Sequence, residues 1–151
     1  MLFIDMDGVL ADLEQYYEDT FGIHPTKEHD SIFWKNVHTT DNFFYHLPPM
    51  PDMEELWDYV SIHNPTVLTG VPTHNSKGII KNKREWLDKH LGKEVPMIAC
   101  RSKDKSLHMK PGDTIVDDRE KYKSIWIEKG GLWVTHYTAE SSINELIKLG
   151  Y

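Results

Sequence analysis

One cysteine, Cys100, stands in 151 residues, so the chain can build neither an intramolecular disulfide nor a multi-cysteine zinc site. Cys100 is expected to pack in a core, as fits a reducing compartment. No apolar run approaches the ~18 residues of a membrane-crossing helix, and no charged-then-apolar leader precedes the first strand, which points to a soluble, cytoplasmic protein. Positive charge is also scarce. With 17 Lys+Arg against 24 Asp+Glu the formal net charge is −7, a balance that argues against gripping long nucleic acid by its phosphates. A small anionic ligand can still enter a locally positive pocket. The length is that of one domain with room for a small insert.

The first twelve residues organise what is present. The apolar run Leu2 to Ile4 delivers Asp5 and Asp7 into a turn marked by Gly8, the pattern of a buried strand ending at its carboxyl edge. That edge is where open α/β sheets bind ligands, and carboxylates there need a cation, a proton or a donor. Asp113-Thr-Ile-Val-Asp-Asp-Arg119 repeats the arrangement, with Asp117 and Asp118 at the tip of a strand over 114–116. Between and after these lie a strand over 66–69 closing on Thr69-Gly70, a strand over 95–100, and a strand over 132–135.

Helices are expected over 12–21, 52–62 with Asp52 as its cap, 76–91, 120–129 and 141–149. The helix over 76–91 carries Lys77, Lys81, Lys83, Arg84 and Lys89 opposite Ile79, Ile80, Trp86 and Leu87; most of its charges read as a solvated face. Apolar strands alternating with helices predict a doubly wound parallel sheet. Residues 12–47 break this rhythm. They are dense in aromatics, including Phe33-Trp34 and Phe43-Phe44-Tyr45, and an insert directly after the first acidic strand is where a lid over the site belongs.

Asp5-Met-Asp-Gly-Val-Leu-Ala-Asp12 resembles the first motif of the haloacid dehalogenase superfamily, and more narrowly that of the 5'(3')-deoxyribonucleotidases. Asn42-Phe-Phe-Tyr-His-Leu-Pro-Pro-Met-Pro51 and Lys83-Arg-Glu-Trp-Leu-Asp-Lys-His-Leu-Gly92 are similar to two further segments of those nucleotidases. The resemblance implies a three-layer α/β core over 1–11 and 48–151, a five-stranded parallel sheet of order 5-4-1-2-3, and a small helical cap over 12–47. It implies Asp5 as nucleophile and Asp7 as general acid and base. Thr69 and Gly70 fall at the second motif, where the nucleotidases usually show Thr-Ser-Pro and this chain has Thr69-Gly-Val-Pro72. Lys105 is the best match for the phosphate-neutralising lysine, ahead of Lys103 and Lys110.

An acidic cluster with oxygen donors and no cysteine or histidine at metal spacing favours Mg²⁺. The resemblance places it on Asp5, the Asp7 backbone carbonyl and one acid of the fourth motif, Asp118 in preference to Asp117. Phe33 and Trp34 match an aromatic pair that lines a base pocket, and Leu13 stands where the family often has Phe. The implied activity is Mg²⁺-dependent hydrolysis of deoxyribonucleoside monophosphates through an aspartyl-phosphate. The partner is then a small phosphorylated substrate, with neither long nucleic acid nor membrane. A phosphatase for another small ester such as a sugar phosphate, and a phosphate-binding module without turnover, are the competing readings. Nothing in the sequence fixes the oligomeric state.

Overall fold

The computed structural model describes residues 1–151. Five short strands form one parallel sheet: β1 (Leu2–Ile4), β2 (Thr66–Gly70), β3 (Met97–Cys100), β4 (Thr114–Asp117) and β5 (Leu132–Thr135), in spatial order β3-β2-β1-β4-β5. Read from the other edge this is the expected 5-4-1-2-3. Each strand is only three to five residues long, and the three central ones are apolar on both faces because helices cover both.

The side-chain alternation of a strand decides which layer each residue joins. Leu2, Ile4, Val67, Val116 and Val134 point into the larger cluster. There they meet α3 (Met53–Val60), α4 (Ser76–His90) and α6 (Ala139–Lys148) through Leu56, Val60, Trp86, Leu87 and Leu146. Phe3, Leu68 and Ile115 point the other way and bury Trp126 of α5 (Lys123–Glu128), whose ring meets Phe3 edge-on at 5.7 Å. The result is helix, sheet and helix in three layers.

Between β1 and α3 the chain forms α1 (Leu13–Phe21), a 3₁₀ turn (Pro25–Lys27), α2 (Asp30–Thr39) and a second 3₁₀ turn (Phe43–His46). These pack by their rings: Tyr17 stacks on Phe33 at 4.9 Å, and Phe43 lies against Tyr16, Tyr17 and Phe21. The outgoing and returning segments run side by side, Asp12 N–H donating to Pro48 O at 2.8 Å and Met50 N–H to Leu10 O at 2.8 Å. Trp86 on α4 ties the return down through its indole N–H to Leu47 O at 2.8 Å.

Several expected bounds shift for local reasons. The strand over 95–100 begins at Met97, because Pro96 has no N–H to give a ladder. The helix over 120–129 opens as a 3₁₀ turn, Glu120–Tyr122, before α5. Asp52 does precede α3, yet its side chain does not cap that helix. Its Oδ2 instead accepts from Ala139 N–H at 2.6 Å at the start of α6, joining two helices 87 residues apart in sequence.

Candidate active site

Two neighbouring strands, β1 and β4, run in register from Leu2 opposite Thr114 to Ile4 opposite Val116. This pairing brings their carboxyl tips level, so Asp5 and the Asp117-Asp118 pair converge, and one carboxylate oxygen from each lies within 4.8 Å of the others. Asp5 is buried and its Oδ1 accepts from Met6 N–H at 2.8 Å and from Lys105 Nζ at 2.9 Å, while its Oδ2 carries no hydrogen bond. Lys105, on the 3₁₀ segment Ser102–Leu107, also donates to Asp117 Oδ2 at 2.7 Å. Asp117 Oδ1 accepts from Arg119 N–H at 2.9 Å, so both of its oxygens are engaged. Asp118 is different. Its Oδ1 is buried without any partner.

Crowding shows in the protonation. Burial, then the charges of Asp5 and Asp117, push Asp118 up to about 7. Burial and Asp5 push Asp117 up to about 6, against the opposing pull of Lys105. For Lys105 burial opposes the charge, but the flanking Asp5 and Asp117 outweigh it and hold its pKa well above that of an ordinary lysine. Gly8, at φ +81°, makes the close approach possible: a Cβ there would overlap the Asp118 carboxylate.

The second acid, Asp7, meets Lys83. This lysine of α4 is fully buried and donates to Asp7 Oδ2 at 2.5 Å, Thr69 Oγ1 at 2.8 Å and Gly70 O at 3.0 Å, with the Phe44 ring centroid 4.6 Å away. Asp7 Oδ1 is left buried and unpaired. The solvated-face reading of the helix over 76–91 is therefore wrong for Lys83, although it holds for the exposed Lys77, Lys81 and Lys89. Only a charged partner makes a buried lysine tolerable, and that partner is 76 residues away. Thr69 is also fully buried, its oxygen turned to Lys83, so it stands behind the cavity wall while Gly70 lies on it.

A cavity of about 230 Å³ opens over these groups. Asp5, Asp7, Lys105 and Asp117 form part of its lining, and Leu13, Phe33, Trp34 and Phe44 from the 12–47 segment face them. Phe33 and Trp34 are half-buried, with Trp34 lying along His38 at 5.9 Å. Lys103 also borders the cavity but is exposed, and Lys110 is exposed elsewhere, so Lys105 alone of the three reaches the acids.

The donor set fits a hard divalent cation. Asp5, Asp7, Asp117 and Asp118 face two buried lysines, all the ligand atoms are oxygens, and Asp118 Oδ1 has no other partner. Asp5 and Asp118 would hold Mg²⁺, with Asp117 behind them fixed by Lys105.

Across its length the chain superposes on a hydrolase from Streptococcus pneumoniae TIGR4 with a TM-score of 0.53 and 11% identity, covering 97% of each chain. With the strand order and the acids at two adjacent tips, this decides the architecture. The chain shares the three-layer α/β fold of that hydrolase, built on a five-stranded parallel sheet. Proteins of Bordetella bronchiseptica and Bordetella pertussis named "Putative 5'(3')-deoxyribonucleotidase" are 25% and 24% identical to it over 139 aligned residues, which span 79% of this chain and 74% of theirs. No protein-family model matches. No helix of the chain is long and apolar enough to cross a membrane.

Lys83, Phe44 and Arg119 were not legible as site residues in the sequence. Phe44 was legible only as one more ring in an aromatic run. For Lys83 the available signal was its offset of three from Trp86, which sets both on the buried side of a helix turn.

Proposed function

We propose that the chain is a Mg²⁺-dependent phosphomonoesterase that hydrolyses deoxyribonucleoside monophosphates, residues 12–47 serving as its cap. The observation that carries this reading is the division of labour between the two acids of β1. Asp5 has Oδ1 held by Met6 N–H and Lys105 and Oδ2 free of hydrogen bonds, and Asp7 has Oδ2 held by Lys83 and Oδ1 unpaired. One oxygen of each is fixed and the other is available.

When bound, Mg²⁺ would offset the repulsion between these carboxylates and a phosphate dianion and stabilise charge on its non-bridging oxygens, an effect on the order of several kcal/mol. Asp5 Oδ2 attacks phosphorus in line, the ester P–O bond breaks, and the departing alkoxide takes a proton from Asp7 Oδ1. Water then attacks the aspartyl-phosphate, Asp7 takes the proton, and cleavage of the P–O bond to Asp5 releases phosphate. Lys105 holds Asp5 and balances charge beside it. Phe33 and Trp34 offer ring faces on which a base stacks whatever its identity, and Leu13 lines the same cavity. The named relatives and the matching segments around Asp5, Asn42 and Lys83 support the nucleotide as substrate.

One feature favours the second reading, a smaller ester such as a sugar phosphate: the cavity of about 230 Å³ lies below the ~300–1,000 Å³ of ordinary small-molecule sites. A nucleotide must therefore open the 12–47 segment or leave part of its base outside. A panel of phosphate esters assayed with Mg²⁺ and with EDTA, on wild type and Asp5→Asn, tests both. Release from deoxynucleoside monophosphates that is lost with EDTA and in the variant is expected. Turnover of sugar phosphates alone moves the substrate to the second reading, and near-normal activity of a correctly folded Asp5→Asn protein ends the covalent route.

A further inference from the structure

The cavity does not end at the four acids. Beyond Lys105 its wall is made by two 3₁₀ segments, Ser102–Leu107 and Glu120–Tyr122, that follow β3 and β4. The first is locked to a helix end, because Lys129, just after α5, donates to Ser106 O at 3.1 Å and Ser106 Oγ at 3.0 Å. Lys103, Arg119 and Lys121 all border the cavity here.

The acids on the same two segments are engaged with other groups. Asp104 is bound by Arg101 at 2.5 Å, and Glu120 by Lys123 at 2.6 Å and Thr135 at 2.7 Å. Neither Lys103 nor Lys121 has a carboxylate within ion-pair distance, and Arg119 makes no ion pair either. In a chain of net charge −7, this wall is a local excess of positive charge facing the cavity. A second, independent feature lies at the same wall. Trp133 borders the cavity, and its indole N–H is buried without an acceptor, whereas buried donors are nearly always paired. The wall therefore gathers cations and a residue with an unpaired indole N–H, and the acids of its own two segments, Asp104 and Glu120, are engaged elsewhere. That is what a phosphoryl group, rich in acceptors and carrying about two negative charges, requires.

We infer that this wall is a second anion subsite, so that the preferred ester carries another phosphoryl group on its alcohol part in addition to the one facing Asp5. The inference rests on the phosphomonoesterase reading above but not on the substrate being a nucleotide. Hydrolysis would consume one water, break one ester P–O bond at Asp5 and release inorganic phosphate. The second phosphoryl group would remain on the product alcohol.

Two substrate pairs test it on the full-length protein with Mg²⁺: a deoxynucleoside 3',5'-bisphosphate against the 5'-monophosphate, and fructose 1,6-bisphosphate against fructose 6-phosphate. Each compound is assayed for phosphate release and as a competitor of p-nitrophenyl phosphate, so that a bound but unhydrolysed compound is still seen. Wild type should favour the bisphosphate of at least one pair by tenfold or more in kcat/KM or in inhibition constant. Lys103→Ala/Lys121→Ala should abolish that preference while leaving p-nitrophenyl phosphate turnover within twofold. Preference in the sugar pair alone, with neither nucleotide bound, keeps the subsite and refutes the nucleotide reading. No preference in either pair refutes the subsite. So does an equal, salt-dependent loss on mono- and bisphosphates in the double variant, which would make these lysines a steering field only.

Discussion

Lys83→Met tests the most unexpected contact in the molecule. Methionine keeps the unbranched stem beside Phe44 and removes only the ammonium, which donates to Asp7 Oδ2 at 2.5 Å, Thr69 Oγ1 at 2.8 Å and Gly70 O at 3.0 Å. Breaking a buried ion pair from one side costs about 3–5 kcal/mol. The Asp7 side chain is 19% exposed, so water can partly replace its lost partner. The Thr69 hydroxyl can turn. The lower end, about 3 kcal/mol, is therefore expected. At about 2–4 °C per kcal/mol for a domain of this size, Tm should fall by about 6–12 °C. A lysine on a solvated helix face would change stability by about 0.5 kcal/mol or less, under about 2 °C. Activity adds an independent reading. With its Oδ2 untethered, Asp7 no longer presents Oδ1 at a fixed place, so an alkyl phosphate that needs protonation should lose tenfold or more in kcat. p-Nitrophenyl phosphate, whose leaving group needs little help, should lose much less. Thermal denaturation and paired kinetics suffice. A Tm within 2 °C of wild type with unchanged alkyl-ester turnover would refute the clamp.

Trp34→Ala should cost a deoxynucleoside monophosphate about tenfold or more in kcat/KM, since base stacking is worth about 1–3 kcal/mol, and leave p-nitrophenyl phosphate nearly unchanged. Equal losses on both, with a fallen Tm, would make Trp34 cap packing and reject its role as a base platform. His136 is buried, its Nδ1 2.8 Å from Ser142 Oγ, and burial lowers its pKa despite the nearby Asp52 charge. The unfolded chain then binds the proton more readily, so this histidine's contribution to stability is complete above about 6.5 and is lost as pH falls through the folded value. The Tm gap between wild type and His136→Gln should shrink between pH 7.5 and 5; a gap independent of pH would exclude the effect.

Much of the fold is written locally. Leu2 to Ile4, Val67-Leu68 and Ile115-Val116 are apolar on both sides because both faces of their strands are covered, and short continuous runs of that kind between helical periods leave few arrangements besides a parallel sheet. The acids at the strand tips were legible for the same reason, since a strand's end fixes where the next residues emerge. Gly8 between them marked the turn. Tertiary structure decided what no local window contains. Lys83 and Lys81 differ little in sequence context, yet one is sealed beneath Asp7 and the other is in water. Lys103 and Lys105 sit two residues apart, and only the second reaches Asp5 and Asp117. Asp52 precedes its own helix and holds another. A charged side chain has no strong preference of its own between these fates. Its place follows from whether a distant partner arrives to balance the loss of water, and that is known only once the strands and helices have packed.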